Sequence, residues 1–329
     1  MKIGLTLGKF APLHKGHQFV IETALREVDH LIVIIYNCPE VIDIPLSTRA
    51  GWIRTLYPKV EVIESLDGPL IVGDTKEIRE MHETYLLGAV GNRGITHFYS
   101  SEFYGDHVSR AFCAIDRRID PDRAAVPISA TMIRSDPFRY REFLDPVVYR
   151  SLVTNVLFLG APSSGKTTLA KACAETFNTV WMPEYGREYW DDHQVNRRLS
   201  LEQLVEIAEG HLIREDALLL DANRYLFTDT NALTTYMFSK YYHGTVHPKL
   251  AVLADSAWPR YDIVILCGID IPYDDTEDRS GDPMRQVFQQ DMIKELLLRS
   301  ITYHTVEGSL SSRIARVQKL LQRVTSNRR

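Results

Sequence analysis

Two short stretches of this chain carry residue types and spacings suited to phosphate chemistry. Just before the midpoint, Gly160-Ala161-Pro162-Ser163-Ser164-Gly165-Lys166-Thr167-Thr168 fits the pattern G-x-x-x-x-G-K-[ST]. Backbone N–H groups of Gly160, Ser163, Ser164, Gly165 and Thr168 would present partial positive charge to the phosphates of ATP, reinforced by the helix that follows. Lys166 would reach the β- and γ-phosphates, and the Thr167 hydroxyl would ligate Mg²⁺. Near the start, His14-Lys15-Gly16-His17 brackets a glycine with two imidazoles. A lone histidine is most often structural. Two of them, three apart at a helix start, can donate to phosphate oxygens where the helix dipole already favours an anion. A zinc site lacks a third ligand of suitable spacing.

These residues need strands and helices to hold them. Ile3 to Leu7 reads as a first strand ending at Gly8, and a helix runs from the histidines through Arg26. Leu31 to Asn37 is a continuous β-branched run, as in a strand buried on both faces of a parallel sheet. Helices over 48–56 and 76–88 alternate with strands over 60–63 and 96–99. The alternation predicts a doubly wound α/β domain whose ligands sit at the carboxyl ends of its strands. The second half repeats the theme, with strands over 155–159, 179–182, 225–228 and 263–266 and an amphipathic helix over 309–323. The expected division is therefore 1–150 and 151–329, two α/β domains, in keeping with a length of 329 residues.

Composition excludes several classes. A hydrophobic fraction of 45% and a charged fraction of 25% describe an ordinary globular protein. The net charge of −5 gives no global reason to expect nucleic acid, so anion sites must be built from local cations and amides. Cys38, Cys113, Cys173 and Cys267 are scattered without metal spacing, as in reduced thiols of a cytoplasmic protein. No signal peptide and no membrane partner are expected.

Gly8-Lys9-Phe10-x-Pro12-x-His14-x-Gly16-His17 resembles the G-x-F-x-P-x-H-x-G-H signature of HxGH nucleotidyltransferases, and Ile128-Ser129-Ala130-Thr131-Met132-Ile133-Arg134 resembles their ISxTxxR signature. The resemblance implies attack on the α-phosphorus of a nucleoside triphosphate with pyrophosphate leaving. His14, His17 and Arg134 would neutralise the developing charge. Gly8, Lys9, Phe10, Gly16, Ser129 and Thr131 would bind ATP, with Ser129 capping the helix that holds Arg134. Arg49 would meet the acceptor's phosphate, Asn37 and Tyr104 would also contact substrate, and 100–105 would form the nucleotide-base loop. No tryptophan occurs between Gly68 and Gly94, where relatives place a stacking aromatic.

In the second half, the strand Tyr225 to Thr228 closes in Asp229, the position that contacts Mg²⁺ downstream of a P-loop; an aspartate there can equally cap a helix. The polar run 274–285 has the character of a kinase lid, with Arg279 and Arg285 reaching phosphates on closure, or of a solvated loop. Glu184 could accept a hydroxyl proton or hold a ribose, and Asp229 competes for the base role. Glu184-Tyr185-Gly186-Arg187-Glu188-Tyr189, Thr228-Asp229-Thr230 and the lid arginines resemble the ribosylnicotinamide kinase half of the NadR family. Tyr185 and Arg187 would then touch substrate. That family joins nicotinamide-nucleotide (NMN) adenylyltransferase to the kinase, some members carrying a helix-turn-helix repressor domain in front. Here the first strand starts at Ile3, and DNA binding is not expected.

The resemblance implies an enzyme of NAD salvage acting on nicotinamide riboside, NMN and ATP, with NAD as product and Mg²⁺ needed in both steps. Self-association into a homo-oligomer stays open. One rival of the same architecture is a coenzyme A synthase, against which the Glu184-Tyr185-Gly186-Arg187 loop argues. The other is a NAD- or ATP-sensing regulator that has lost one or both activities.

Overall fold

A computed structural model of the chain describes residues 1–39, 43–69, 71, 73–102, 105–196, 198–272 and 282–327. It divides into two compact units between Tyr149 and Arg150.

Unit 1 alternates strands and helices: β1 (Ile3–Gly8), α1 (Lys15–Glu27), β2 (His30–Tyr36), α2 (Leu46–Leu56), β3 (Glu61–Ser65), α3 (Lys76–Val90), β4 (His97–Ser100), α4 (Gly105–Ala111) and β5 (Ile115–Arg118). Two short helices, α5 (Ala130–Ser135) and α6 (Pro146–Leu152), follow. The sheet order is β3-β2-β1-β4-β5, every pairing parallel. Strand order reverses direction beside β1, the place where an open α/β sheet leaves a crevice beyond its carboxyl ends. β2 is buried on both faces, as its unbroken apolar run requires. Its Ile32 and Ile34 join Leu5, Leu86 and Phe98 in the core.

Unit 2 contains β6 (Thr154–Leu159), α7 (Lys166–Thr176), β7 (Trp181–Met182), α8 (Tyr185–His193), α9 (Leu201–Leu218), β8 (Tyr225–Asp229), α10 (Ala232–His243), α11 (Pro248–Ser256), β9 (Ile263–Cys267), α12 (Asp282–Leu298), β10 (His304–Val306) and α13 (Leu310–Asn327). Its sheet runs β10-β9-β6-β8-β7, again all parallel. β6 lies at the centre with all six residues buried. Apolar side chains fill both faces, Phe158 and Phe227 against α7 and α13 on one side, Leu157 and Leu266 against α10 and α12 on the other.

Two strands have no counterpart in the sequence pattern, β5 (Ile-Asp-Arg-Arg) and β10 (His-Thr-Val). Both are sheet edges, where short, charged or polar strands are favoured because they discourage pairing with other chains. No helix of the described residues is long and apolar enough to cross a membrane, and all four cysteines are free.

Candidate active sites

In unit 1 the chain leaves β1 at Gly8 and enters α1 at Lys15, so the intervening loop lies at the sheet's carboxyl edge. His14 caps α1, its Nδ1 accepting from the backbone N–H groups of Gly16 at 3.1 Å and His17 at 3.4 Å. With Nδ1 an acceptor, a neutral His14 carries its proton on Nε2, which is the nitrogen left to meet a ligand. The two imidazoles stack with centroids 3.7 Å apart, and Phe10 packs edge-on to His17 at 4.9 Å. A Cβ on residue 16 would stand 3.0 Å from His14 Cε1, so the glycine between the histidines is what allows the capping ring to lie there.

Burial, with a contribution from Arg123, pulls the His14 pKa down to about 4. Burial, then His14 and Arg123, hold His17 well below the ordinary value. Burial therefore favours uncharged rings at neutral pH, and the expectation that they neutralise charge is modified: a neutral imidazole offers one N–H donor. Positive charge comes from elsewhere. Arg134, on α5 behind its Ser129 cap, donates Nη1 to the Ala11 carbonyl at 2.6 Å and Nη2 to Thr131 Oγ1 at 3.1 Å. The second signature is thereby fastened to the first. Arg123, which no motif marked, lies close enough to act on both histidines and is tethered to Glu102 at 3.1 Å.

Other expected residues of this unit fall into different places. Lys9 and Thr131 are exposed, and Asn37 is half-buried just after β2. Arg49 is 1% exposed and directs its guanidinium into the carbonyls of Ile44 (3.0 Å), Lys9 (2.6 Å) and Tyr36 (2.9 Å). It was expected on the acceptor's phosphate; these bonds instead make it a brace that ties the β1 and β2 ends together. Tyr104 lies outside the described residues.

In unit 2 the loop from Gly160 to Gly165 joins β6 to α7. Gly160 has φ +143°, and a Cβ there would approach the Cys267 carbonyl to 2.8 Å, so glycine is required where the loop turns over β9. Lys166 is buried and donates to the loop carbonyls of Gly160 at 3.1 Å and Ala161 at 3.0 Å. Three buried side chains hold the loop from behind. Gln289 accepts from Ala161 N–H at 2.8 Å, Arg285 donates to Ser163 O at 2.9 Å, and Arg313 donates to Ser164 O at 2.7 Å. With these carbonyls bonded to buried side chains, the remaining loop N–H groups can serve an anion.

Arg285 thus differs from its expected lid role. It belongs to α12, is 4% exposed, and also donates to Ile271 O at 3.0 Å. Arg279 lies outside the described residues. Arg313, which the sequence reading left without a role, is 3% exposed and pairs with Asp270 at 2.6 Å.

Asp229, fully buried at the end of β8, accepts from Thr167 Oγ1 at 2.5 Å. Burial and the neighbouring Glu184 push its pKa up to about 6, against the opposing pull of Lys166, the Thr167 bond and Arg187. Its second oxygen, Oδ1, has no hydrogen-bond partner among the described residues. An orphaned buried carboxylate oxygen beside a threonine hydroxyl fits Mg²⁺, which typically takes one or two protein oxygens and completes its shell with phosphate and water. No cluster of three or more acidic, histidine or cysteine ligands exists among the described residues.

The loop opens on a cavity of about 650 Å³ lined by Lys166, Thr167, Thr168, Glu184, Arg187 and Thr234 among others. Its size suits a nucleoside-sized ligand. Tyr185, expected on substrate, is not in that lining. α8 begins at Tyr185, and helical spacing turns 185 and 189 towards α9, where Arg214 lies 4.0 Å over the Tyr185 ring. Gly186, Arg187 and Trp190 take the cavity side.

A family model described as cytidylyltransferase-like matches residues 5–136, and one described as an AAA domain matches residues 155–313. The trifunctional NAD biosynthesis/regulator protein NadR of Salmonella typhimurium is 30% identical over 355 residues, spanning 97% of this chain and 82% of that protein. The chain belongs to the NadR family. Two crystal structures agree at the level of fold: NadR protein in complex with NAD and AMP-PNP, and NadR protein in complex with NR. Each has a TM-score of 0.56 and 20% identity, covering 97% and 98% of this chain and 95% of each of those chains. The histidine motif and the P-loop each follow the carboxyl end of a strand of their own sheet. The groups the motifs missed, Arg123, Gln289 and Arg313, reach the sites from elements distant in sequence and leave no local spacing to read.

Proposed function

We propose that this NadR-family chain is a bifunctional enzyme of NAD salvage. Unit 2 phosphorylates nicotinamide riboside with ATP, giving NMN and ADP. Unit 1 joins NMN to AMP from a second ATP, giving NAD and pyrophosphate. The observation that supports the reading is that two loops with phosphate-binding motifs each lie at the carboxyl edge of their own parallel sheet. The known relatives support the substrates: one is a NAD biosynthesis protein and another was crystallised with NR.

In unit 2 the P-loop amides and Lys166 hold the triphosphate while the acceptor lies in the adjoining cavity. Mg²⁺, held by Thr167 and Asp229, would screen charge between β- and γ-phosphates. Because Asp229 is engaged with Thr167, we assign the hydroxyl proton to Glu184, which faces the same cavity. The riboside oxygen attacks the γ-phosphorus, the bond to the β-phosphate oxygen breaks, and ADP leaves. In unit 1 a phosphate oxygen of NMN attacks the α-phosphorus and pyrophosphate leaves, stabilised by Nε2–H of His14, by His17 and by the Arg134 guanidinium.

Incubating the chain with nicotinamide riboside, ATP and Mg²⁺ should yield NMN first and NAD after it. Lys166→Ala should abolish NMN formation yet still make NAD from supplied NMN; His17→Ala should do the reverse, losing about 10²-fold or more in adenylyl transfer. ATP binding without riboside-dependent ADP release would leave a nucleotide sensor instead. Parallel loss of both activities in either variant would sink the two-site assignment.

A further inference from the structure

The two signatures of unit 1 bring little positive charge to the place where pyrophosphate would leave. They contain one guanidinium, Arg134, and it is partly engaged with the Ala11 carbonyl and the Thr131 hydroxyl. Burial favours uncharged His14 and His17. A departing pyrophosphate gathers negative charge, and neutral donors stabilise an anion less well than charged ones do.

A second guanidinium arrives from the loop between β5 and α5. Ser100 pairs with Arg118 across β4 and β5, and the Ile119 N–H donates to the Ser100 carbonyl at 2.9 Å. The segments after both strands therefore leave the carboxyl edge side by side. Asp120 then folds its segment back: Oδ1 accepts from Ala125 N–H at 3.0 Å, Oδ2 from Val126 N–H at 2.9 Å, and its carbonyl from Arg123 N–H at 2.9 Å. The two amide bonds to its side chain hold that carboxyl below the usual aspartate range. Asp120 and Arg123 take φ of +50° and +52°. Aspartate tolerates the left-handed region, but an arginine seldom occupies it, so the turn imposes the conformation. Just beyond, Ile128 is buried, and a Cβ on residue 16 would stand 3.9 Å from its Cγ2. The turn is thus built against the glycine between the two histidines.

The Arg123 side chain is 46% exposed, with Nη2 3.1 Å from Oε1 of Glu102, itself 44% exposed. Glu102 follows β4, the neighbour of β1. An exposed pair of this kind adds little to stability and exchanges readily for a stronger anion. Arg49 and Arg285, which brace the fold, are by contrast 1% and 4% exposed and bonded to backbone carbonyls. After burial, and for His17 also His14, the Arg123 charge is what lowers the proton affinity of both imidazoles. A charge felt by both rings is near enough to meet the phosphates that they would serve.

We propose that Arg123 is a further catalytic residue of adenylyl transfer, which leaves Glu102 for the β- and γ-phosphates of ATP and stays with them as pyrophosphate departs. The bond from an NMN phosphate oxygen to the α-phosphorus forms as the bond to the α,β-bridging oxygen breaks, and the electron pair leaves on pyrophosphate. No proton passes through Arg123, whose guanidinium stays charged and whose fork can meet two phosphate oxygens at once. The inference rests on the adenylyl-transfer reading of unit 1.

The test runs the reaction of the whole chain in both directions, NMN with ATP and NAD with pyrophosphate. Arg123→Ala should raise the KM for ATP and the KM for pyrophosphate by about tenfold or more, as expected for the loss of a charge-assisted bond to an anion. The KM for NMN and the KM for NAD should stay within about threefold, because neither molecule carries a β- or γ-phosphate of ATP. Glu102→Ala, which frees the guanidinium, should lower the KM for ATP by about twofold or more. The thermal midpoint should hardly move in either variant, since only an exposed pair is lost, and Arg123→Gln serves the same comparison should the alanine variant misfold. KM values for ATP and NMN that rise together, an unmoved KM for pyrophosphate, or a KM for ATP raised by Glu102→Ala overturns the proposal. A wild-type chain that makes neither NAD from NMN and ATP nor ATP from NAD and pyrophosphate defeats the adenylyl-transfer reading itself, a separate outcome.

Discussion

Replacing Asp229 by asparagine should make unit 2 more stable while destroying its proposed kinase activity. The carboxyl is fully buried, and its pKa stands at about 6, against about 3.8 for an ordinary aspartate. A folded-state value raised above the unfolded one means that stability is greatest below pH 3.8 and is lost as pH rises through about 6. At 1.36 kcal/mol per pKa unit the charged carboxylate costs the apo fold about 3 kcal/mol at neutral pH. Asparagine removes that cost and can still accept from Thr167, though the neutral bond is weaker by about 1 kcal/mol. The net gain is about 2 kcal/mol, or roughly 4–8 °C for a domain of this size. Tryptophan fluorescence suits the measurement, because Trp181, Trp190 and Trp258 lie in unit 2 and only Trp52 lies outside it. At pH 5 about half of the wild-type cost is already relieved by protonation, so the gain should shrink accordingly. Saturating ATP with Mg²⁺ should stabilise the wild type more than the variant, because the cation is proposed to use the carboxylate. An asparagine variant that melts at or below the wild-type temperature at pH 7.5, or whose advantage is the same at pH 5, would refute the reasoning.

Two further substitutions separate braces from ligands. Arg49→Met should destabilise unit 1 by about 3 kcal/mol or more in denaturant titration, since three carbonyls lose a buried donor; a stable variant with raised KM for NMN would restore the phosphate-binding role. Arg313→Met should lower kcat/KM for ATP in the kinase step by about tenfold or more through a loosened P-loop, with the adenylyl-transfer step unchanged. Arg313→Lys should rescue only part, keeping the Asp270 charge pair but losing the fork that also reaches Ser164, Gly268 and Gly308; full rescue would reduce the role to charge alone.

Much of this was legible in the residues themselves. A continuous apolar run such as Leu31 to Ile35 has few alternatives to a central parallel strand, and glycines at 16 and 160 mark places where a side chain cannot fit. Local patterns of that kind determined both sheets' central strands and the motif loops that follow β1 and β6. Edge strands β5 and β10 escaped because water-facing strands carry no periodic apolar signal. Tertiary structure alone decided protonation and direction. Burial makes His14 and His17 neutral donors, carries Asp229 to about 6, and spends Arg49 and Arg285 on backbone carbonyls. It also brings Arg313 to the P-loop across 149 residues of chain. Residue type and spacing set which group is present; desolvation and the partners that folding supplies set its charge and where it points.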